Sequence, residues 1–328
     1  MIDIDRLIEG EKIYGKMAIR AKETPREYKN KDGMYFFLRV GNKTGSVDLK
    51  YWGGSDAGAT QELFRSLEIG DVLDIEAIVE FDRFREALGL TVNEGVNKVR
   101  KCKVDEYSPE EFLPVGPKNP DKLMEELLGY LESVEDGEVK KLLESFFKDP
   151  EFQQDFIKSP AAMTHHHNYV GGLLEHTVGV IRLANLICDY YPELRRDLAL
   201  AGAMLHDIGK VQSYKYRTAI EPSSRGKFLG HTFIGADMVA GRIKELGMDP
   251  DLAVELEHLV LSHHARDEDG MPDRLKTAEA AALHYADLMD AFVKDFIQAQ
   301  EAGRAMGEEW VYDRTLGQEI YLPKKGEE

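Results

Sequence analysis

The sequence predicts two folds in one chain: a five-stranded β-barrel at the N-terminus, then an all-α helical bundle. Three observations carry this. Through residues 1–103 apolar and polar residues alternate, as half-buried strands require. From residue 121 apolar residues recur at three- and four-residue spacing instead, the period of a helix face. Between the two, residues 104–120 hold Pro109, Pro114, Pro117 and Pro120, which deny that stretch a long helix and mark it as a linker. A chain of 328 residues has room for about two domains.

The barrel strands follow in order. Lys12–Arg20 has mixed alternation, and Met34–Val40 is apolar and aromatic. Ser46–Trp52 sets Val47, Leu49 and Tyr51 against Asp48, Lys50 and Trp52. Asn42-Lys43-Thr44-Gly45 is a hairpin turn between them. A short helix fits Ala59–Leu67, and further strands fit Asp71–Phe81 and Leu88–Val92, the last extending toward Val99. Five strands with a helix between the third and fourth match the OB-fold order. Asp32-Gly33 through Gly45, followed by Ser46–Trp52, resembles the OB domains of the tRNA-anticodon and single-strand-binding kind. In such domains aromatic faces stack on bases while cations follow the phosphates. The candidates are Tyr35, Phe37, Tyr51, Trp52, Phe81 and Phe84, with Lys29, Lys31, Arg83 and Arg85 in the loops. About half of these aromatics must face the barrel interior, so core packing competes with base stacking at each.

The bundle spans residues 121–302. Leu123, Leu127, Leu128 and Leu131 form one apolar face, and Val139, Leu142, Leu143 and Phe146 a second. Lys148-Asp149-Pro150 breaks that helix. Residues 303–328 form a tail whose Trp310, Tyr312, Leu316, Ile320 and Tyr321 are too apolar to stay free. They are expected to pack on the domain or on a neighbouring subunit of a homo-oligomer.

Histidine placement points to chemistry. Nine of ten histidines fall between residues 165 and 264, the tenth is His284, and none precedes 165. His176 lies in an apolar-periodic helix of about residues 171–190, and Asp197–His206 is a second helix ending in the adjacent pair His206-Asp207. Gly209 follows, where it lets the chain turn. His231 opens a third helix, His258 and His263 belong to a fourth, and Asp287 to a fifth, Thr277–Ala299. One buried histidine is usually a satisfied core group. Core packing, however, has no use for an adjacent His-Asp with flanking histidines. A mixed imidazole and carboxylate set suits Mn, Fe, Co, Ni or Zn as divalent ions and suits Ca poorly.

Leu174-Glu175-His176-Thr177, Met204-Leu205-His206-Asp207-Ile208-Gly209-Lys210 and Tyr285-Ala286-Asp287 resemble the motif set of the HD-domain metal phosphohydrolases. The resemblance implies His176, His206, Asp207 and Asp287 as ligands of a first metal. It implies His231 and His263 for a second, with Asp207 bridging and His264 as the alternative member of its pair. Lys210 is the candidate for stabilising phosphoryl charge beside Asp207; its competing role is to complement a helix C-terminus. The segment His263–Pro272 is similar to the cyclic-dinucleotide branch of the superfamily but lacks that branch's Gly-Tyr-Pro signature. An OB-like domain before an HD-like one, joined through Pro160–Leu173, resembles the YhaM-type 3′→5′ exoribonucleases over nearly the whole chain. Asn168 stands where the resemblance leads one to expect an acidic residue, and His165 is extra; the run 165–167 is either a polar lead-in to the helix or a site where His166 or His167 contacts a substrate phosphate. Arg217 and Arg266 are weaker phosphate candidates, and Arg217–Lys227 is either a lid or a connection.

Charge and composition bound the rest. Residues 1–100 carry 16 Lys+Arg and 18 Asp+Glu, and the remainder 26 and 42, so the formal charge of −18 sits almost wholly in the second half. That argues against wrapping duplex nucleic acid, whose affinity rests on phosphate neutralisation, but not against a single strand in a local basic groove. Cys102 and Cys188 have neither zinc-finger spacing nor a disulfide framework. No apolar run reaches the roughly 20 residues of a membrane span, and the N-terminus lacks a signal-peptide pattern, so a cytoplasmic protein is expected. The leading reading is a metal-dependent exonuclease on single-stranded RNA or DNA. A nucleotide phosphohydrolase or phosphodiesterase, with the barrel as regulator or scaffold, is the alternative, and a binding module with a vestigial site the third.

Overall fold

A computed structural model describes residues 2–83, 85–108, 111–113, 115–163, 167–264, 275–304, 309–313 and 316–322. The chain forms two compact units, Met1–Pro114 with Tyr216–Glu221, and Val115–Lys215 with Pro222–Glu328.

In the first unit the strands are β1 (Lys12–Glu27), β2 (Met34–Asn42), β3 (Gly45–Trp52), β4 (Val72–Asp82), β5 (Ala87–Asn93) and β6 (Val99–Lys101), with α1 (Ala57–Ser66) between β3 and β4. The order β1-β2-β3-β5-β4 closes because β4 also pairs with β1. Among the described residues β3 and β5 form the one parallel pair, and β6 extends along β4. Closure leaves the five strands no free edge. β1 runs seven residues past the predicted Arg20. It serves two partners, Lys12–Ala18 pairing with β4 and Ala18–Glu27 with β2, and register shifts after Ile19 and Glu23 bend it between them. Burial does not alternate cleanly along its second half, so alternation alone stops short. Inward residues Met17, Ile19, Phe36, Leu38, Leu49, Tyr51, Ile75, Val79 and Leu90 fill the barrel. α1, capped by Asp56, packs Leu63 and Phe64 against that core.

The second unit holds α2 (Pro120–Glu132), α3 (Gly137–Phe147), α4 (Pro150–Lys158), α5 (Gly172–Tyr190), α6 (Arg196–Leu205), α7 (Lys210–Ser213), α8 (Ser224–Leu246), α9 (Pro250–Ser262) and α10 (Ala278–Arg304). Pro120, Pro150 and Pro250 each follow an Asn or Asp cap whose side chain accepts from the first free N–H groups. These prolines therefore start helices, at the one position where a missing N–H costs nothing. α5 is buried along most of its length and packs against α2, α4, α6 and α10. β7 (Tyr214–Tyr216) pairs with β8 (Ile220–Pro222), so Arg217–Lys227 begins in the turn between these strands and ends in the first turn of α8.

The tail forms a hairpin of β9 (Trp310–Asp313) and β10 (Gln318–Tyr321). Ile320 and Leu322 pack on Ala299 of α10, with Val311 and Leu316 beside them. Trp310, Tyr312 and Tyr321 lie on the exposed side instead, because neighbouring residues of a strand point to opposite faces.

Candidate metal centre

Three helices and the ends of two others bring the predicted ligands together. His176 sits in the second turn of α5. α6 ends at Leu205, so His206 caps it and Asp207 enters the following turn. Gly209 does not turn the chain through positive φ; its φ is −62°. It is a packing glycine: a Cβ there would lie 2.0 Å from the His231 carbonyl oxygen and 2.5 Å from the Gly235 nitrogen, so only glycine lets α8 approach this closely. α8 is broken at Gly230 (φ 73°, ψ 158°), and the break delivers His231. His263 caps α9, His264 follows it, and Asp287 comes from α10.

The atoms converge. His176 Nε2 lies 3.4 Å from Asp207 Oδ2, 3.1 Å from Asp287 Oδ1 and 3.2 Å from His206 Nε2. His206 Nε2 lies 3.4 Å from Asp207 Oδ2. The other oxygen, Asp207 Oδ1, faces His231 Nε2 at 3.5 Å and His263 Nε2 at 3.7 Å. His264 joins this second group, with Nε2 3.0 Å from His231 Nε2 and Nδ1 3.6 Å from Asp287 Oδ2. Asp207 thus presents one oxygen to each cluster. His258 lies elsewhere and accepts from the Lys276 N–H.

The donor set fits divalent ions. His206 Nδ1–H donates to the Ala203 carbonyl at 2.9 Å and His263 Nδ1–H to that of Val260 at 2.6 Å, so each Nε2 carries an inward lone pair. Asp207 Oδ1 and His263 Nε2 are buried and have no hydrogen-bond partner among the described residues. Buried polar atoms are nearly always satisfied, so these two mark where a cation belongs. Burial pushes the His231, His263 and His264 rings down to about 3, which keeps them neutral. Burial would raise Asp207, but Lys210 and His206 hold it well below the carboxylate range. Burial likewise opposes charge on His176, yet Asp207, Asp287 and Asp290 raise its pKa well above the ordinary value. His231, His263 and His264 are thus neutral beside ionised carboxylates, the protonation state that ligation requires, whereas His176 would give up its Nε2 proton to a bound cation.

Asp290 escaped the sequence reading. Its Oδ2 accepts from His176 Nδ1 at 2.7 Å, the carboxylate-to-histidine contact that orients metal ligands. The spacing Asp287-x-x-Asp290 held the signal, since residues three apart share a helix face. Lys210 Nζ sits 2.6 Å from Asp207 Oδ2 and is itself buried, so its ammonium is fixed on the carboxylate that both clusters share. His167, expected at a phosphate, is 2 % exposed and turned toward Asp290 and Tyr169. His166, with Phe84 and Arg266, lies outside the described residues.

On the barrel, strand alternation sorts the aromatics. Tyr51 points inward and stacks on Phe36 at 4.8 Å. Tyr35 and Trp52 share the outer face, 5.1 Å apart, and Tyr28 stacks on both at 5.4 and 5.7 Å. Tyr28, at the end of β1, was not picked from sequence. Phe37 meets Tyr35 edge-on at 5.8 Å. Lys50 lies 4.4 Å from the Trp52 ring, Lys31 4.1 Å from Tyr28, and Arg85 4.5 Å from Phe37. Lys29 is exposed in the same loop as Lys31. A cavity of about 270 Å³ is lined by Phe37, Lys50, Trp52, Phe81, Arg83 and Arg85, among others.

Comparison with known proteins agrees with this geometry. Residues 173–291 match the HD domain family. The 3′-5′ exoribonuclease YhaM of Listeria innocua is 31% identical over 258 residues, 78% of each chain. That of Shouchella clausii is 29% identical over 295 residues, 89% of this chain and 87% of the other. Among solved structures, a replication protein A heterotrimer bound to ssDNA overlaps 38% of this chain and 29% of its own at 18% identity and TM-score 0.26, too loose to bear on the fold. By sequence similarity across both of its units, and by an HD domain whose histidines and aspartates meet at one point, the chain belongs to the family of the YhaM 3′-5′ exoribonucleases.

Proposed function

We propose that this protein is a metal-dependent exonuclease that shortens single-stranded RNA, and DNA as a second substrate, from the 3′ end. In this reading residues 1–103 hold the strand, 104–120 link, and 121–302 carry the hydrolytic site, with 303–328 as a packed tail. The observation that carries it is the meeting of His176, His206 and Asp287 beside Asp207 Oδ2, while Asp207 Oδ1, buried and without a hydrogen-bond partner among the described residues, faces His231 and His263.

His176, His206, Asp207 and Asp287 would hold one ion, and Asp207, His231 and His263, with His264, a second. The mixed nitrogen and oxygen set favours Mn²⁺, with Fe²⁺, Co²⁺, Ni²⁺ and Zn²⁺ as alternatives. Bound divalent ions supply Lewis acidity, which makes water nucleophilic near neutral pH and offsets phosphoryl charge. The chain's own groups do the rest. Lys210 locks the Asp207 carboxylate and adds positive charge beside the reacting phosphate. Asp290 orients His176. In hydrolysis a water oxygen bonds to phosphorus, the bond to the 3′ oxygen of the penultimate nucleotide breaks, and that oxygen takes up a proton. Tyr28, Tyr35 and Trp52 offer faces to bases, while Lys29, Lys31, Lys50 and Arg83 supply charge for phosphates.

End-labelled RNA and DNA oligomers incubated with Mn²⁺ test this. Expected is a ladder of shortening products with released nucleoside 5′-monophosphates. Intact oligomers, with hydrolysis confined to free nucleotides, would overturn it in favour of a nucleotide phosphohydrolase.

A further inference from the structure

The segment before α5 has a task that phosphate contact does not explain. His167 takes φ 54°, a left-handed conformation that non-glycine residues enter only at a cost. Its Nε2–H donates to Asp290 Oδ2 at 3.1 Å, the same oxygen that accepts from His176 Nδ1. Its Nδ1 lies 2.9 Å from the Tyr169 hydroxyl, which donates to Glu175 Oε2 at 2.8 Å. Glu175 is in turn met by Lys294 at 3.3 Å and Lys118 at 3.2 Å. A buried polar chain therefore runs from two lysines to the back of a metal-centre histidine.

Two glycines of α5 make room for it. A Cβ on Gly172 would lie 1.9 Å from the His167 carbonyl oxygen, and one on Gly179 would lie 2.1 Å from Asp290 Oδ1. The Asp290 carboxylate is thus wedged between the α5 backbone on one oxygen and two imidazoles on the other. It cannot rotate without losing both.

We propose that Asp290, held in place by His167, is a positioning residue of the metal centre: it fixes the His176 ring with Nδ1 protonated and Nε2 aimed at Asp207 and Asp287. The proposal rests on the reading of His176 as a metal ligand. A charged acceptor behind a ligating histidine makes the ring a better donor, and losing it typically weakens metal binding about 10–100-fold.

Mn²⁺ titration calorimetry on the metal-free full-length protein tests this, with melting curves as a check on folding. Asp290→Asn keeps the shape and removes the charge. Gly179→Ala keeps Asp290 and crowds it. Both are expected to weaken the tighter Mn²⁺ site about 10–100-fold. The Mn²⁺ concentration for half-maximal activity should rise by the same factor, as orientation acting through the metal requires. Asp290→Glu should not rescue, because Gly179 leaves no room for another methylene. Wild-type Mn²⁺ affinity in both Asp290→Asn and Gly179→Ala overturns the positioning role. Wild-type affinity in His206→Ala would instead show that the ion sits elsewhere, and the underlying reading falls together with the proposal.

Discussion

His176 and His206 point their Nε2 atoms at each other across 3.2 Å, and the Nδ1 of each is already committed, to Asp290 and to the Ala203 carbonyl. The carboxylates around His176 favour a proton on its Nε2, which can donate to His206 Nε2 at that distance. A cation within reach of both nitrogens would take that proton's place. Such preorganisation makes the centre sensitive to its central carboxylate.

Asp207→Asn should therefore abolish hydrolysis, by at least about 10³-fold, since metal assistance supplies most of the rate. Binding of a single-stranded oligomer should persist, because the barrel is untouched. Cleavage assays beside fluorescence anisotropy separate the two; retained cleavage would show that the site is misassigned.

His263 and His264 should behave differently. His263 is fully buried with its Nδ1 fixed on Val260, while His264 is about half exposed. His263→Ala is expected to raise the Mn²⁺ requirement by more than about tenfold and His264→Ala by less. Mn²⁺-dependence curves for the two variants decide which is the stronger ligand.

The barrel aromatics should divide by face. Trp52→Ala and Tyr28→Ala should each weaken oligomer binding by about 1–3 kcal/mol, the range for one base-stacking platform. Hydrolysis of a small model phosphodiester should be unaffected. Tyr51→Ala should instead cost about 3–5 kcal/mol of stability, because its ring packs on Phe36 inside the barrel. Urea unfolding and binding isotherms on the three variants test the division.

Gly209→Ala should destabilise the second unit by about 1–3 kcal/mol and reduce activity, since its methyl group would displace the backbone of α8 at His231. Chemical denaturation and cleavage rates should fall together. A neutral outcome would mean that α8 gives way freely.

Acid sensitivity has a local source in Glu279. Burial would raise its pKa, but hydrogen bonds from the Arg195 N–H and guanidinium, at 3.0 and 3.3 Å, hold it below the usual carboxylate range. A carboxylate with a depressed folded pKa adds stability above its unfolded pKa and loses it as pH falls through the folded one. Glu279→Gln should cost about 1–3 kcal/mol near neutral pH and little once the wild-type carboxylate is protonated. Thermal melts of both proteins across acidic pH should converge.

The convergence of these histidines and aspartates was legible because their residue types are rarely used together for anything else: a buried His-Asp pair has few structural roles. The two helix faces and the barrel order were legible from apolar spacing. What escaped depended on neighbours distant in sequence. Asp290 reads as an ordinary helix-surface carboxylate until α5 is packed beside it. Gly209 reads as a turn, and only the 2.0 Å approach of the His231 carbonyl shows what its missing side chain is for. The end of β1 was lost because one strand serving two partners does not keep a single pattern of burial. Tyr28 lacked any pattern of its own; it is grouped with Tyr35 and Trp52 only by the barrel's curvature.

The pairing of β2 with β3 sets Tyr35 opposite Trp52 and Phe36 opposite Tyr51. Consecutive rungs of the same ladder thus serve as an outer aromatic shelf and as filling. Sliding one strand by a single residue would exchange the two, emptying the interior while burying the shelf. An insertion in the Asn42–Gly45 turn that shifts the register should therefore cost the protein its grip on nucleic acid and its resistance to unfolding in one stroke.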